Sequence, residues 1–346
     1  MPFSIQAFKD SARGLLLMTG KSIKIKRVPL INRWERMLSG GYLAAALLCF
    51  SLTGCGGPLP PPDPYNLAEA KDSMGKGNYW YERGCYRESE RFFTAALESA
   101  RLSDNVLLII RAQNSLGTAA LAEGDKNGAA VYLEQAINLA SAHPEQPELD
   151  KVLGNLGALA FQLARLKDAE GFWKQAVEAA EKKGLSPAPY YCDLARLYKA
   201  EGRDSEFSAM VAKALAATGE AEPFSRADAL NLAGQEAMGR GDGEGAESLF
   251  RQALELDRKT ENTTGLAQDT ESLGLLMVEM KRFGEAAVLL DRSFYLWLAV
   301  ANDQAADRVL ALMKKLAATE GHPKKMEPYL QARRNPAPHR LAKQCP

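Results

Sequence analysis

The sequence predicts an all-α protein, a solenoid of about six to seven helical hairpins stacked in a row with a period near 40 residues. Three observations predict it. Aligned on itself at that spacing, the chain repeats a small or Leu-Gly pair, a turn glycine seven positions later, and Ala or Ser five further on. Four residues after that small residue stands a large apolar one, at Phe93, Leu133, Trp173, Phe250 and Leu290 in turn. Finally, Pro144 with Pro147, Pro187 with Pro189, and Pro223 fall between successive units, where a helix has to stop. A single hairpin cannot bury its own apolar face, so units repeated at this spacing have to stack on one another to form a core.

Residues 1–54 read as a cleaved export signal. Lys21, Lys24, Lys26, Arg27, Arg33 and Arg36 make a positive region ahead of the apolar run Tyr42–Leu52. That run is well short of the roughly 20 residues a membrane-spanning helix needs, and it has the length of a signal-peptide core. Translation from Met1 or from Met18 keeps all six charges, whereas a start at Met37 loses them. The run ends in Leu52-Thr53-Gly54-Cys55, which resembles the lipobox of bacterial lipoproteins. The resemblance implies that Cys55 is lipidated and becomes the first mature residue. Gly56, in place of Asp, implies the outer membrane, on its periplasmic face, rather than the inner membrane. Residues 55–66 then form a linker in which Pro58, Pro60, Pro61, Pro62 and Pro64 favour an extended, semi-rigid spacer. The stretch Gly14–Ser22, GLLLMTGKS, is one residue too long for a phosphate-binding loop and follows no strand, so it is set aside.

From residue 67 to 334 the units follow in register. The first has Gly77, Trp80, Gly84, Ser89, Phe93 and Ala96; the second has Leu116-Gly117, Ala120, Gly124, Ala129, Leu133 and Ala136. The third keeps Leu156-Gly157, Ala160, Ala169, Trp173 and Ala176 but has Ala164 at the turn, and the fourth keeps Leu194-Ala195, Tyr198, Gly202 and Ala214 but has Phe207 at the small position. In the fifth stand Ala233-Gly234, Ala237, Gly241, Ala246, Phe250 and Ala253; in the sixth, Leu273-Gly274, Met277, Ala286 and Leu290, with Lys281 at the turn and Ser293 in place of the second Ala. This pattern resembles the tetratricopeptide repeat. The resemblance implies a right-handed α-solenoid whose first helices line a concave groove. Small residues let the two helices of each hairpin approach, and Phe93, Trp173 and Phe250 fill the space between them. Units of this length exceed the roughly 34-residue standard, so extended helices or longer junctions are expected. A seventh, degraded unit from Asp307, with Lys314 at the small position and Pro323 and Pro328 around its second helix, is expected to cap the stack, and residues 335–346 to form a flexible tail.

Composition excludes several functions. The chain has 43 Lys and Arg against 43 Asp and Glu, but residues 1–54 hold 8 of the former and 2 of the latter, so the remainder carries 35 against 41, a net charge of −6. An acidic mature protein without a basic run has no electrostatic footprint for nucleic acid. Only His143, His322 and His339 could serve as neutral-pH proton-transfer groups, and they fall in a junction, the last turn and the tail. No metal-binding, nucleophile-elbow or dinucleotide motif stands in a plausible context. No cofactor, metal or catalytic residue is expected, and the protein is expected not to be an enzyme. Cys85 and Cys192 are expected to be buried thiols and Cys345 a thiol that could pair between molecules, because a solenoid brings only adjacent repeats together. Arg240-Gly241-Asp242 matches an integrin-recognition tripeptide, but Gly241 already belongs to a turn.

What remains is a surface. Groove positions carried over from the tetratricopeptide resemblance are Lys71, Asn78 and Tyr81 in the first unit, and Arg111, Asn114 and Thr118 in the second. Lys151 and Phe161 follow in the third, Arg196 and Lys199 in the fourth, Asn231 and Gln235 in the fifth, Gln268 and Glu271 in the sixth. Amides and positive charges suit an extended, partly acidic segment of a partner protein. The carboxylate-clamp subtype is not expected, since Met74 and Ser115 stand where Lys and Asn are wanted. The expected function is a membrane-anchored, non-catalytic scaffold of the bacterial envelope that binds a protein or peptide in its groove. The alternatives are a pilotin-like assembly factor for a secretion or type IV pilus system, or an accessory subunit of an envelope enzyme.

Overall fold

The computed structural model describes residues 63–219, 221–319, 326–340 and Cys345. The export signal, Cys55, the linker up to residue 62, and His322 lie outside the described residues. Within them the chain forms fourteen α-helices and no strand. Hairpin 1 is α1 (Tyr65–Glu82) with α2 (Tyr86–Leu102), hairpin 2 is α3 (Val106–Glu123) with α4 (Lys126–Ala142), and hairpin 3 is α5 (Leu149–Gln162) with α6 (Leu166–Lys182). Next come hairpin 4, α7 (Ala188–Ala200) with α8 (Asp204–Ala217), hairpin 5, α9 (Pro223–Gly239) with α10 (Gly243–Lys259), and hairpin 6, α11 (Thr263–Glu279) with α12 (Phe283–Ala299). Last are α13 (Asp303–Thr319) and the eight-residue α14 (Glu327–Arg334). Each helix packs on the next in sequence, as a solenoid requires.

Local chemistry sets the helix ends. The turn inside each hairpin takes one residue in the left-handed region, where a side chain is penalised by about 1–2 kcal/mol. Gly124 sits there at φ 87°, but so do Ala164 at 57° and Lys281 at 60°, the two positions where the sequence departs from glycine. The fold therefore imposes the turn even on residues that resist it. The second helix is started by side-chain caps where the sequence supplies them: Asp125 accepts from the Gly128 N–H at 2.9 Å and Asp242 from the Gly245 N–H at 2.9 Å. Asp242 is thus an N-cap and Gly241 a turn, which accounts for the tripeptide they form with Arg240.

The small residues do what their spacing implies. A Cβ on Gly234 would lie 2.6 Å from the Phe250 ring, and one on Gly157 would lie 2.4 Å from the Trp173 indole nitrogen. That indole N–H donates to the Gly154 carbonyl at 3.0 Å, so even the largest filler has its polar atom satisfied. Phe93, Phe250 and Phe294 are completely or almost completely buried in a core running between the two helices of each pair and into the next pair. Both expected sources of the long period are present. Hairpins 1, 2, 5 and 6 are built from helices of 17 or 18 residues, while the junctions at 143–148, 183–187 and 218–222 are the long, proline-marked ones.

The expectation for the cysteines is overturned at the carboxyl terminus. Cys85 and Cys345 form a disulfide, their Cα atoms 5.6 Å apart, across a sequence separation of 260. Neighbour-only contact is a rule about hairpins along a stack, and it does not bind a tail that returns to the first turn. The described tail residues before Cys345 make contacts of their own. The Arg340 guanidinium pairs with Asp303 at 2.8 Å, His339 lies over Tyr295 with ring centroids 5.2 Å apart, and residues 337–339 form a 3₁₀ turn. Only Cys192 remains a free, buried thiol among the described residues, its ionisation pushed up by burial.

Candidate functional site

First helices of neighbouring hairpins touch one another: α1 meets α3, α3 meets α5, α5 meets α7, α7 meets α9, and α9 meets α11. Second helices make no comparable row of contacts among the described residues, so the first helices carry the inner face of the curved stack. Three depressions lie on or beside that face.

The first spans hairpins 1 to 3 and encloses about 470 Å³. It gathers Lys71, Asn78, Arg111, Asn114 and Lys151, five of the residues that the sequence places in a groove. Glu148, 3% exposed, sits at its base, accepting from Arg111 Nε at 2.8 Å with the Lys151 ammonium 3.3 Å away. Lys71 reaches Asp63 at 2.6 Å. Three cations against two carboxylates, Glu148 and Asp63, leave this pocket with one net positive charge. Asn155 donates to Asn114 Oδ1 at 2.8 Å and to Thr118 Oγ1 at 3.2 Å, which fixes both side chains. Thr118, half-buried and donating to the Asn114 carbonyl, supports the pocket rather than lining it.

The second, about 620 Å³, lies on hairpins 4 to 6 and gathers Arg196, Lys199, Gln235, Gln268 and Glu271. Its floor is apolar, from Leu232, Met238, Leu275 and Trp297. Glu271 is only 7% exposed: it accepts from the Trp297 indole at 2.8 Å and from Arg308 at 2.9 and 3.1 Å. Lys199 is bonded to Gln235. Arg196 is held by Asp193 at 3.1 Å and by Asp228. Beside this pocket, at the amino-terminal ends of α7, α9 and α11, a third cleft of about 300 Å³ is lined by Asp193, Asp228, Asp257 and Asp269 together with Arg196.

Three groove assignments are corrected by burial and packing. Asn231 is fully buried: it donates to Asp269 Oδ1 at 2.6 Å and to Ser272 Oγ at 3.2 Å, and accepts from Gln235 at 2.6 Å. Its role is to hold Asp269 and Gln235 in place. Phe161 leans on Trp173, ring centroids 5.8 Å apart, and belongs to the packing between α5 and α6. Tyr81 is placed with Tyr86, centroids 5.4 Å apart, in another cavity bounded by Phe224 and the Thr260–Thr264 junction, and burial pushes its hydroxyl up to about 12. The sequence reading missed Glu148, Trp297, Arg308 and the aspartates. Asp150, Asp193, Asp228 and Asp269 each fall in one of four consecutive first helices, but at different positions within the repeat, so register alone gave no signal for them. Asp150 is buried and accepts from the Tyr190 hydroxyl at 2.7 Å.

His143 lies in the junction before α5 and His339 in the tail, so the described histidines do not converge. No three metal-ligating side chains cluster among the described residues.

A family model described as a tetratricopeptide repeat matches residues 110–143, which are nearly all of α3 and all of α4. This stretch is similar to a tetratricopeptide repeat. The crystal structure of the apo form of RapI is similar over 77% of this chain and 94% of its own, with a TM-score of 0.54 at 11% identity. Cut9 or Hcn1, from the APC/C hetero-tetramer Cut9-Hcn1, is similar over 81% of this chain and 56% of that one, with a TM-score of 0.53 at 16% identity. BtubC (BKLC) from P. vanneervenii gives a TM-score of 0.47 at 17% identity, covering 73% of this chain and 93% of that one. At these identities the likeness is one of fold, a tetratricopeptide-like solenoid. No curated protein sequence matches the chain.

Proposed function

We propose that this protein is a non-catalytic scaffold, anchored by lipid on Cys55 to the periplasmic face of a bacterial outer membrane, that holds an extended segment of a partner protein against its first helices. The observation that carries the reading is the polar lining of the inner face in both halves of the stack. Six successive first helices bring ten of the fourteen sequence-assigned side chains into two pockets of about 470 and 620 Å³. Each pocket has charged and amide groups around apolar patches, the mixture that grips backbone and side chains of an extended chain. Support for the anchor is the lipobox-like Leu52-Thr53-Gly54-Cys55 and the proline spacer behind it. Lipoprotein processing implies more than one acyl chain, and stable anchoring needs about two.

The test is affinity capture from solubilised membranes of the native host. Wild-type chain is expected to retain a partner that Arg111→Glu with Lys151→Glu releases. Retention by the double variant, or an absence of any partner, would sink the groove reading. Cys55→Ser is expected to shift an intact, folded protein from the membrane to the soluble periplasmic fraction. Continued membrane association would refute the anchor without touching the groove.

A further inference from the structure

The cleft at the amino-terminal ends of α7, α9 and α11 has a charge requirement that the chain does not meet. Its lining holds four carboxylates, Asp193, Asp228, Asp257 and Asp269, and one guanidinium, Arg196. Arg196 is already committed to Asp193, at 3.1 Å, and to Asp228. The other two acids are left with amides alone. Asp257 is 3% exposed and accepts from Asn262 at 2.9 Å; Asp269 is 1% exposed and accepts from Asn231 on one oxygen. The second oxygen of Asp269, Oδ2, is buried in the lining of the cleft without any hydrogen-bond partner.

Arg196 is the one cation in the lining around Asp269 among the described residues. From α9 come Asp228 and Asn231, from α10 Asp257, from the junction Asn262, and from α7 the committed Arg196 with Asp193. Two ionised carboxylates buried side by side repel each other and lose hydration that amides only partly replace. The pair is therefore stable in one of two conditions, with a proton between the acids or with a cation brought from outside.

We propose that this cleft is a receptor for a lysine side chain of the partner segment, whose ammonium takes the place of the proton between Asp257 and Asp269. The proposal deepens the scaffold reading by assigning the chemistry of one partner residue, and it rests on that reading for the identity of the ligand as a protein. Three features select lysine. No three of these carboxylates stand at the spacing that a metal ion needs among the described residues, so a bare divalent cation finds too few oxygens. A volume of about 300 Å³ admits one unbranched side chain but no second helix. Phe224 lines the same cleft with 56% of its surface exposed, an aromatic face available to cover an alkyl stem or the flank of an ammonium. The pocket on hairpins 1 to 3 is positive, so a partner would present an acidic residue there and a basic one here, which gives the groove a direction.

The experiment is calorimetric titration of the purified, folded chain with the blocked pentapeptide acetyl-Gly-Gly-Lys-Gly-Gly-amide, using norleucine and arginine versions as controls and Ca²⁺ as a separate titrant. The lysine peptide is expected to bind and to release protons near neutral pH, seen as a dependence of the heat on buffer ionisation. Asp269→Asn keeps the shape and the bond to Asn231 but removes the charge, and is expected to weaken binding by about 30-fold or more. Phe224→Ala, on the exposed rim, is expected to weaken it without altering helix content, which covers the case in which the buried variant misfolds. Equal binding by the norleucine peptide, no binding of the lysine peptide, unchanged affinity in Asp269→Asn and Phe224→Ala, stronger binding of arginine, or stoichiometric Ca²⁺ uptake that excludes the peptide would each overturn the proposal. None of these outcomes bears on capture through Arg111 and Lys151, so failure here and failure of the scaffold reading are separable.

Discussion

Replacing Phe250 and Gly234 singly and together measures how far the small-residue positions are a matter of steric fit. Phe250 has no exposed surface, and its ring occupies the space that a Cβ on Gly234 would enter at 2.6 Å. Phe250→Ala alone should cost about 3–5 kcal/mol, from lost transfer energy and the cavity left behind. Gly234→Ala alone adds a methyl against the ring, an overpacking cost of about 1–3 kcal/mol, partly offset by about 1 kcal/mol of helix propensity. In the Phe250→Ala background the ring is gone, the clash disappears and the propensity gain remains, so Gly234→Ala should there be stabilising by about 1 kcal/mol. The coupling is then about 1–3 kcal/mol in favour of the double variant. Hydrogen exchange of the α9 and α10 amides is the appropriate assay, because perturbation of a solenoid is felt mainly by the affected hairpin and its neighbours. Strict additivity, or a Gly234→Ala that stabilises the wild-type background as much as it does the Phe250→Ala background, would refute the argument that close helix approach dictates the glycine.

Ala164→Gly and Lys281→Gly should each raise stability by about 1 kcal/mol, since both residues hold a left-handed backbone, at φ 57° and 60°, that glycine adopts without strain; thermal melts check this, and Gly84→Ala, at φ 72°, should move the other way. Reducing the Cys85–Cys345 bond, or Cys345→Ser, should lower stability by about 2–4 kcal/mol and loosen hairpin 1 together with the tail, read as a lower melting temperature and faster exchange in α1 and α2. The Asp257–Asp269 pair sets a pH dependence of definite sign. Burial raises both above the ordinary carboxylate range, and the neighbouring Asp257 pushes Asp269 up further, so the folded state holds protons that the unfolded state has released. Stability therefore falls as pH climbs from the ordinary carboxylate range through the raised values, and melts from acid to mildly alkaline pH should show a slope that Asp269→Asn flattens.

The repeats were legible because they rest on local chemistry that recurs. A small residue facing Phe93, Leu133, Trp173, Phe250 or Leu290 leaves a mark at fixed spacing, and so does a turn that needs a left-handed residue. Even the departures at Ala164 and Lys281 were visible as departures. The groove was legible only as a set of positions. Repeat register places Asn231 and Gln235 one turn apart on the same helix, but register does not say that Asn231 is sealed beneath Gln235 and Asp269. Burial along the inner face depends on how closely α7, α9 and α11 approach, a tertiary quantity that no single unit encodes. The disulfide was hidden for a related reason. Cys85 and Cys345 are joined by the path of the whole stack, and sequence arithmetic treats residues 260 apart as independent.

That closure bears on what the groove admits. The same turn that carries Cys85 forms, with Tyr81 and Tyr86, one wall of the cavity whose other wall is Phe224 and the Thr260–Thr264 junction. Hairpin 1 thus comes round to the junction between hairpins 5 and 6, and the tail fastens that turn covalently from the carboxyl-terminal end. A stack closed in this way cannot open its inner face by simple uncoiling, because moving hairpin 1 away from hairpin 5 must also pull the tail from Asp303 and Tyr295. An extended segment led in by a free end needs no such movement, whereas a folded domain or an internal loop does. Reduction of the disulfide should therefore leave capture of a terminal segment unchanged and speed capture of an internal one. If stopped-flow association rates for terminal and internal versions of the same captured segment respond equally to reduction, the clasp stabilises the stack without governing access to it.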